Sequence, residues 1–435
     1  MEKLGFFGFI LLFLFSCNSK NESSTETRPP NIILIMADDL GYETLGVNGS
    51  NSYLTPNLDQ MAAQGMRFQN CYSTPLCTPS RVQIMTGKYN FRNYIGFGLL
   101  DKQEKTFGHY MKDLGYRTYV AGKWQLLGNT YQQELAGNKI GSLPEEAGFE
   151  DYCLWQVDTL GSRYKSPVVS IKGKGVVEFK DKYGPDLFVD HIEEFMKTNR
   201  EHPFFVYYPM VLTHDPFVPT PENPEFAHFD NASKTNDPKY FGEMVTYMDK
   251  LVGRIIDHTE TLGIQEHTLI LFVGDNGTDR DVISRFYEDT IQGDKGYTTA
   301  AGTHVPFIAH WKGKIKPESS NDNLVDFTDF LPTLVEAAKG EKLDVNQTDG
   351  LSFYPQLVNE KGQARDWIFC DYSPNWGKFE PKRYVQDKNW KYYNNGELYN
   401  LNEDRMEKQP LNVNAQDSFV QQRVSVFQKV LESYQ

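Results

Sequence analysis

Two short clusters of oxygen-bearing residues stand far apart in the chain. Asp38-Asp39 follows the apolar run Asn31–Ala37, and Asp275-Asn276 follows the apolar run Thr268–Gly274. Hard oxygen ligands of this kind suit Ca2+ or Mg2+ better than zinc. Three carboxylates brought together without a cation would repel one another strongly. Taken singly, Asp-Asp is equally a helix cap and Asp-Asn-Gly equally a turn. A third group is Cys77-Thr78-Pro79-Ser80-Arg81. A first helical turn tolerates proline, so a helix is expected to start here, with Cys77 just before it. The free N–H groups and dipole of such an end favour anions, and they favour a reactive thiol. The alternative is a buried Cys before a capped helix. Lys123 and His214 each follow a further apolar run, at 116–121 and 204–212.

These groups need elements to position them. Runs 31–37 and 268–274 are continuous and apolar, as in strands buried on both faces of a parallel sheet. With 116–121 and 204–212, four expected strands end in polar, chemically capable residues. Ligands of open α/β sheets bind at the carboxyl ends of strands, so four such endings favour one shared site. Helices are expected over 56–64, 107–114, 185–198 and 240–262. The last repeats apolar residues at helical spacing and reads as core. After about residue 345 short runs at 367–370, 383–386 and 390–393 are separated by Gly, Asn and Pro. They read as a small antiparallel sheet closed by a helix at 415–433.

The chain has 435 residues and is 39% hydrophobic, enough for a large α/β domain with a smaller companion. Its net charge of −14 excludes a broad nucleic-acid surface, which needs a basic face. An anionic substrate would need local Lys and Arg, or a metal, to reverse the field. Lys3 precedes an apolar run at 5–15, too short to span a bilayer comfortably and suited to a signal peptide. The run ends in Leu14-Phe15-Ser16-Cys17, which resembles a lipobox; the alternative is an ordinary secretory signal with a chance Cys. The expected plan is a lipoprotein signal at 1–16 and a polar tether at 17–30. A catalytic domain then spans 31–345 and a C-terminal subdomain 346–435. None of the five Cys falls in a CxxC or Cys/His metal spacing. Gly96-Phe97-Gly98 has no GxGxxG completion, so no nucleotide site is indicated.

Cys77–Arg81 resembles the Cys-x-Pro-Ser-Arg signature of the type I sulfatases of the alkaline phosphatase superfamily. The resemblance runs in order along the chain. It takes in 31–41 (NIILIMADDLG), Gly122-Lys123-Trp124, Thr213-His214, 274–277, Gly293–Gly296 (GDKG) with Val305-Pro306-Phe307, 326–334 and 396–401. It implies an alkaline-phosphatase-like fold: a mixed, mostly parallel sheet between helices, then a small α+β C-terminal subdomain.

The resemblance also implies chemistry. A separate maturation enzyme would oxidise Cys77 to Cα-formylglycine, whose hydrate is a geminal diol. One hydroxyl attacks sulfur and releases the alcohol, leaving a sulfated enzyme; the second then loses its proton and expels sulfate. Asp38, Asp39, Asp275 and Asn276 would hold one Ca2+. Arg81 and Lys123 would hold the formylglycine hydroxyls, Lys123 and Lys295 would bind sulfate oxygens, and His214 is the candidate general acid. Two departures bear on the substrate. Gln125 stands where many relatives have His, and can donate a hydrogen bond but not exchange a proton near neutral pH. His304 stands where relatives often carry Arg, and either lines the substrate cleft or is a loop residue. Trp155, Trp376 and the cluster Arg92-Asn93-Tyr94 are candidate sugar contacts. The expected substrate is a sulfated oligo- or polysaccharide, met by an exported lipoprotein in the periplasm or at the outer membrane of a bacterium. A phosphodiesterase or phosphonate hydrolase of the same superfamily, and an inactive glycan-binding relative, are the alternatives.

Overall fold

The computed structural model describes Met1 and residues 28–434. The expected signal segment, Cys17 and most of the tether lie outside the described residues. Residues 28–30, assigned to the tether from sequence, are already attached to the fold. Arg28 donates to the Arg200 carbonyl at 2.9 Å, and the Pro30 carbonyl accepts from Tyr116 at 2.8 Å. Among the described residues no helix is long and apolar enough to cross a membrane.

The main sheet has ten strands. They are β1 (Asn31–Ala37), β2 (Met66–Tyr72), β3 (Arg117–Lys123), β4 (Asp151–Trp155), β5 (Val168–Ile171), β6 (Gly175–Glu178), β7 (Phe204–Pro209) and β8 (Thr268–Gly274). A separate hairpin of β9 (Ile283–Phe286) and β10 (Asp289–Gln292) precedes the last two, β11 (His304–His310) and β12 (Ser319–Asp326). The order is β12-β2-β11-β8-β1-β7-β3-β4-β5-β6. The central strands β8, β1, β7, β3 and β4 are all parallel; antiparallel pairs appear toward the edges. This is the mixed, mostly parallel sheet expected from the sequence.

Alternation along β1 divides the core. Ile33, Ile35 and Ala37 face one layer, where α1 (Pro56–Ala63), α5 (Gly184–Asn199) and α6 (Phe241–Thr261) pack. Ile32, Leu34 and Met36 face the other, with α2 (Cys77–Thr86), α3 (Phe107–Asp113) and the helix Phe330–Ala337. Each such side chain contributes about 1.5–3 kcal/mol by burial. A second sheet of β13 (Ile368–Tyr372), β14 (Lys382–Gln386), β15 (Trp390–Tyr393) and β16 (Leu398–Asn400) is an antiparallel meander. The helix Ser418–Ser433 covers it through Val420, Val424, Phe427 and Leu431.

Two strand limits differ from the sequence reading. β7 stops at Pro209, and residues 210–213 leave the sheet to cross the end of β1, where Met210 N–H donates to the Met36 carbonyl at 2.8 Å. β3 runs on through Lys123. Gly122 makes this possible: its φ is +110, and a Cβ there would sit 2.0 Å from the Pro209 carbonyl oxygen. Gly122→Ala should therefore cost about 3 kcal/mol, read as an earlier midpoint in chemical denaturation.

Candidate active site

Strand register builds the acidic cluster. Ala37 pairs with Gly274 at the ends of parallel β1 and β8. Asp38 and Asp275 therefore leave the sheet side by side, and Asp275 N–H donates to the Ala37 carbonyl at 2.9 Å. Asp39 then turns into the left-handed region, with φ 61. That turn lets its N–H donate to Asp275 Oδ1 at 2.9 Å and its Oδ1 accept from Asn276 Nδ2 at 2.8 Å. Asp38, Asp39, Asp275 and Asn276 are all buried.

α2 begins at Cys77, one residue earlier than expected from the sequence. All ten residues of α2 are buried, and Cys77 is 2% exposed. The thiol is not activated by this position. Burial pushes it up, Asp38 and Asp275 add to the effect, and Lys123 and Lys295 only partly offset it. Arg81, one turn along α2, donates to the carbonyls of Trp124 at 2.6 Å and Lys123 at 3.0 Å. It braces the end of β3 against the helix, and its buried Nε has no partner. Lys123 Nζ reaches both oxygens of Asp38, at 3.1 and 2.8 Å.

The crossing segment brings His214 to the same place. Thr213 N–H donates to the Asp38 carbonyl at 2.6 Å, and Asp38 N–H to the Leu212 carbonyl at 2.8 Å. His214 Nδ1 lies 2.8 Å from the Asp215 carboxylate, while Nε2 faces Lys295 Nζ at 3.3 Å and Asp39 at 3.8 Å. Burial opposes the charge on Asp215, but His214, Lys295 and Arg163 outweigh it and hold the carboxyl below its ordinary range. Lys295 also pairs with Asp39 Oδ2 at 2.5 Å. Burial works against its charge, and Asp39 and Asp215 reverse that and raise it.

Cys77, Gln125, His214 and Lys295 line one cleft of about 400 Å³. Gln125, with φ 42, is a second non-glycine residue in left-handed backbone at this site. Asp215, Asp279, Arg280, Phe97, Trp376 and Phe379 also line the cleft. None of the six was assigned a catalytic role from sequence; Trp376 alone had been singled out as a sugar contact.

Charge decides what else the cluster can hold. Burial opposes ionisation of Asp38, but Lys123, His214 and Lys295 outweigh it and hold the carboxyl down at about 2. Asp275 has no cation of its own. Burial and repulsion from Asp38 and Asp39 push it well above the carboxylate range. Ligand atoms of Asp38, Cys77 and Asp275 lie within 4.8 Å of one another, and the buried Asn276 Oδ1 has no partner. Three buried carboxylates and a free amide oxygen, short of positive charge, fit a hard divalent cation such as Ca2+.

Three sequence candidates sit elsewhere. Arg92 pairs with Asp349 at 2.9 Å and is not among the residues lining the cleft. Trp155 is core, its indole N–H bonded to the Gly161 carbonyl at 2.8 Å. His304 is buried between Tyr42 and Tyr72, with ring centroids at 4.0 and 4.8 Å, and its Nε2 bonds the Gln69 carbonyl at 2.8 Å. It borders a larger cavity of about 560 Å³ that holds none of the acidic cluster or Cys77.

The sequence profile of the Sulfatase family matches residues 30–340. Arylsulfatase A of Homo sapiens is 31% identical over 382 residues, covering 79% of this chain and 70% of that protein. The chain belongs to the sulfatase family. The C-terminal profile described as N-sulphoglucosamine sulphohydrolase, C-terminal, matches residues 292–433 of this sulfatase. An N-acetylgalactosamine-6-O-sulfatase of Bacteroides thetaiotaomicron is 25% identical over 488 residues, covering 92% of this chain and 93% of that one. The crystal structure of Ps i-CgsB superposes with a TM-score of 0.76 at 25% identity, covering 94% of each chain. The sulfatase is thus a sulfuric ester hydrolase.

The placement of His304 has a measurable consequence. Burial, aided by Arg405, holds its imidazole down from 6.5 to about 3. Below pH 6.5 the unfolded chain therefore takes a proton that the fold refuses, and stability falls as pH drops toward 3. The loss reaches about 2 kcal/mol by pH 5. His304→Gln should narrow the gap in thermal midpoint between pH 7 and pH 5.

Proposed function

We propose that this sulfatase removes sulfate from a glycan at position 77, after a maturation enzyme has oxidised Cys77 to formylglycine. The observation that carries this reading is one cleft in which Cys77, at a helix start, meets Lys295 and His214 beside the acidic cluster. The hydrated aldehyde would supply one hydroxyl to take the sulfate and a second whose deprotonation expels it. Asp38, Asp39, Asp275 and Asn276 would hold Ca2+, which supplies charge stabilisation to the sulfate oxygens.

The protein's own residues then have separate tasks. Lys123 and Lys295 present fixed positive charge to the sulfate in a buried setting, where it acts more strongly than in water. Arg81 does not reach into the cleft with its terminal nitrogens; it holds the Lys123 backbone in place. Asp215 orients the His214 ring, leaving Nε2 toward the reacting centre to give a proton to the departing oxygen. Gln125 can donate a hydrogen bond to substrate but leaves the proton transfer to His214. Glycans are supported as the substrate class by the aromatic walls Phe97, Trp376 and Phe379, and by the aminosugar sulfate in the name of the Bacteroides relative. We also propose that lipid on Cys17 anchors an exported protein at the bacterial membrane.

Mass spectrometry of the tryptic peptide 68–81 from the native host should show the aldehyde at position 77. Cys77→Ala should lower sulfate release by about a thousandfold or more, and an active variant would sink the mechanism. His214→Ala should lower kcat by about a hundredfold. Chelation should reduce activity, and added Ca2+ should restore it and raise the thermal midpoint.

A further inference from the structure

The stretch Gly96-Phe97-Gly98, which fits no nucleotide motif, has a structural task beside the cleft. Phe97 stacks on Trp376 with ring centroids 4.4 Å apart and an interplanar angle of 15°. Both rings line the cleft that holds Cys77. The surface continues outward. Tyr131, on α4 (Thr130–Leu135), meets Trp376 edge-on at 5.8 Å and is 59% exposed. Among the described residues its hydroxyl meets no hydrogen-bond partner, and its exposed ring lies outside the core.

Three separate segments are fixed together to make this ledge. Gly98, at φ +81, lets α4 come close: a Cβ there would lie 2.4 Å from the buried Gln132 side chain. Gln132 in turn closes a capping box with Asn129. Asn375, next to Trp376, donates to the Leu135 carbonyl at 2.9 Å. Tyr94 donates to the Pro374 carbonyl at 2.9 Å. Tyr131 is exposed and Trp376 half-buried, with the buried Phe97 ring as its backing. Aromatic faces held in this way bind the apolar faces of sugar rings at little ordering cost. The surrounding protein is acidic, with a net charge of −14, so contact through rings avoids the repulsion a polyanion would meet elsewhere.

We propose that Tyr131, with Trp376 and Phe97, forms a subsite for a sugar neighbouring the sulfated one. The substrate is then an oligo- or polysaccharide and not an isolated sulfated monosaccharide. The inference rests on the glycan-sulfatase reading above.

The test is affinity electrophoresis of the full chain, in a Cys77→Ala background so that nothing turns over. The gels contain chondroitin 6-sulfate, heparin, ι-carrageenan or fucoidan. At least one polymer should retard the protein. Tyr131→Ala should weaken that retardation about fivefold, Tyr131→Phe should keep it, and the thermal midpoint should not move. Retardation by none of the four, equal retardation of Tyr131→Ala, or failure of Tyr131→Phe would overturn the subsite. A fallen midpoint in Tyr131→Ala would overturn it too, by giving the ring a structural role. Sulfate release from the same polymers by matured protein reads the reaction separately. Retardation without release would count against the sulfatase reading and leave the subsite standing.

Discussion

Burying charge is expensive, and this protein buries it at the point where its chemistry lies. Asp38, Asp39 and Asp275 are at most 2% exposed, and among the described residues Lys123 and Lys295 stand against them as full positive charges. Moving one ion out of water costs several kcal/mol even after relaxation. Such a cluster persists only where a rigid frame holds each partner. The frame here is the parallel centre of the sheet: β1 and β8 end in register, and β3 delivers Lys123 beside them. The residual imbalance falls on Asp275. A site left short of one positive charge has a charge balance that a cation would complete.

Much of this frame is legible in the sequence because it depends on local pattern. The runs that become β1 and β8 are continuous, apolar and bounded by acids, and the structure places both strands at Asn31–Ala37 and Thr268–Gly274. Helices at 107–114 and 240–262 are found within a residue of their expected ends. Other strands escape notice for a physical reason. β12 reads SSNDNLVD and β6 reads GVVE; neither carries a sustained apolar run, and both lie at sheet edges where one neighbour suffices. The cleft walls are less legible still. Phe97, Arg280 and Trp376 come from three distant segments and share no periodic signal; only the tertiary fold makes them neighbours. His304 has a strand position that sequence can locate, but only the stacked Tyr42 and Tyr72 reveal that its ring faces the core.

The C-terminal sheet is less separable than a domain boundary at 345 suggests. Leu76, Cys77 and Phe97 share an apolar cluster with Cys370, Tyr372, Tyr384 and Tyr393. Tyr372 donates to the Gly296 carbonyl at 2.9 Å, and Gly296 N–H donates to the Pro75 carbonyl at 2.8 Å. Lys391 holds the Thr298 carbonyl from the same side. The loop that carries Lys295 is thus clamped between the start of α2 and the last sheet.

That clamp gives the chain a schedule. Proteins are made from the amino end, and the wall behind position 77 is encoded some 300 residues after it. Until β13 to β15 emerge from the ribosome, the beginning of α2 lacks the wall that Cys370, Tyr372, Tyr384 and Tyr393 supply. Once the final sheet docks, the same peptide is backed by it, and Cys77 faces the cleft. The surroundings of position 77 are therefore complete only when the chain is nearly finished.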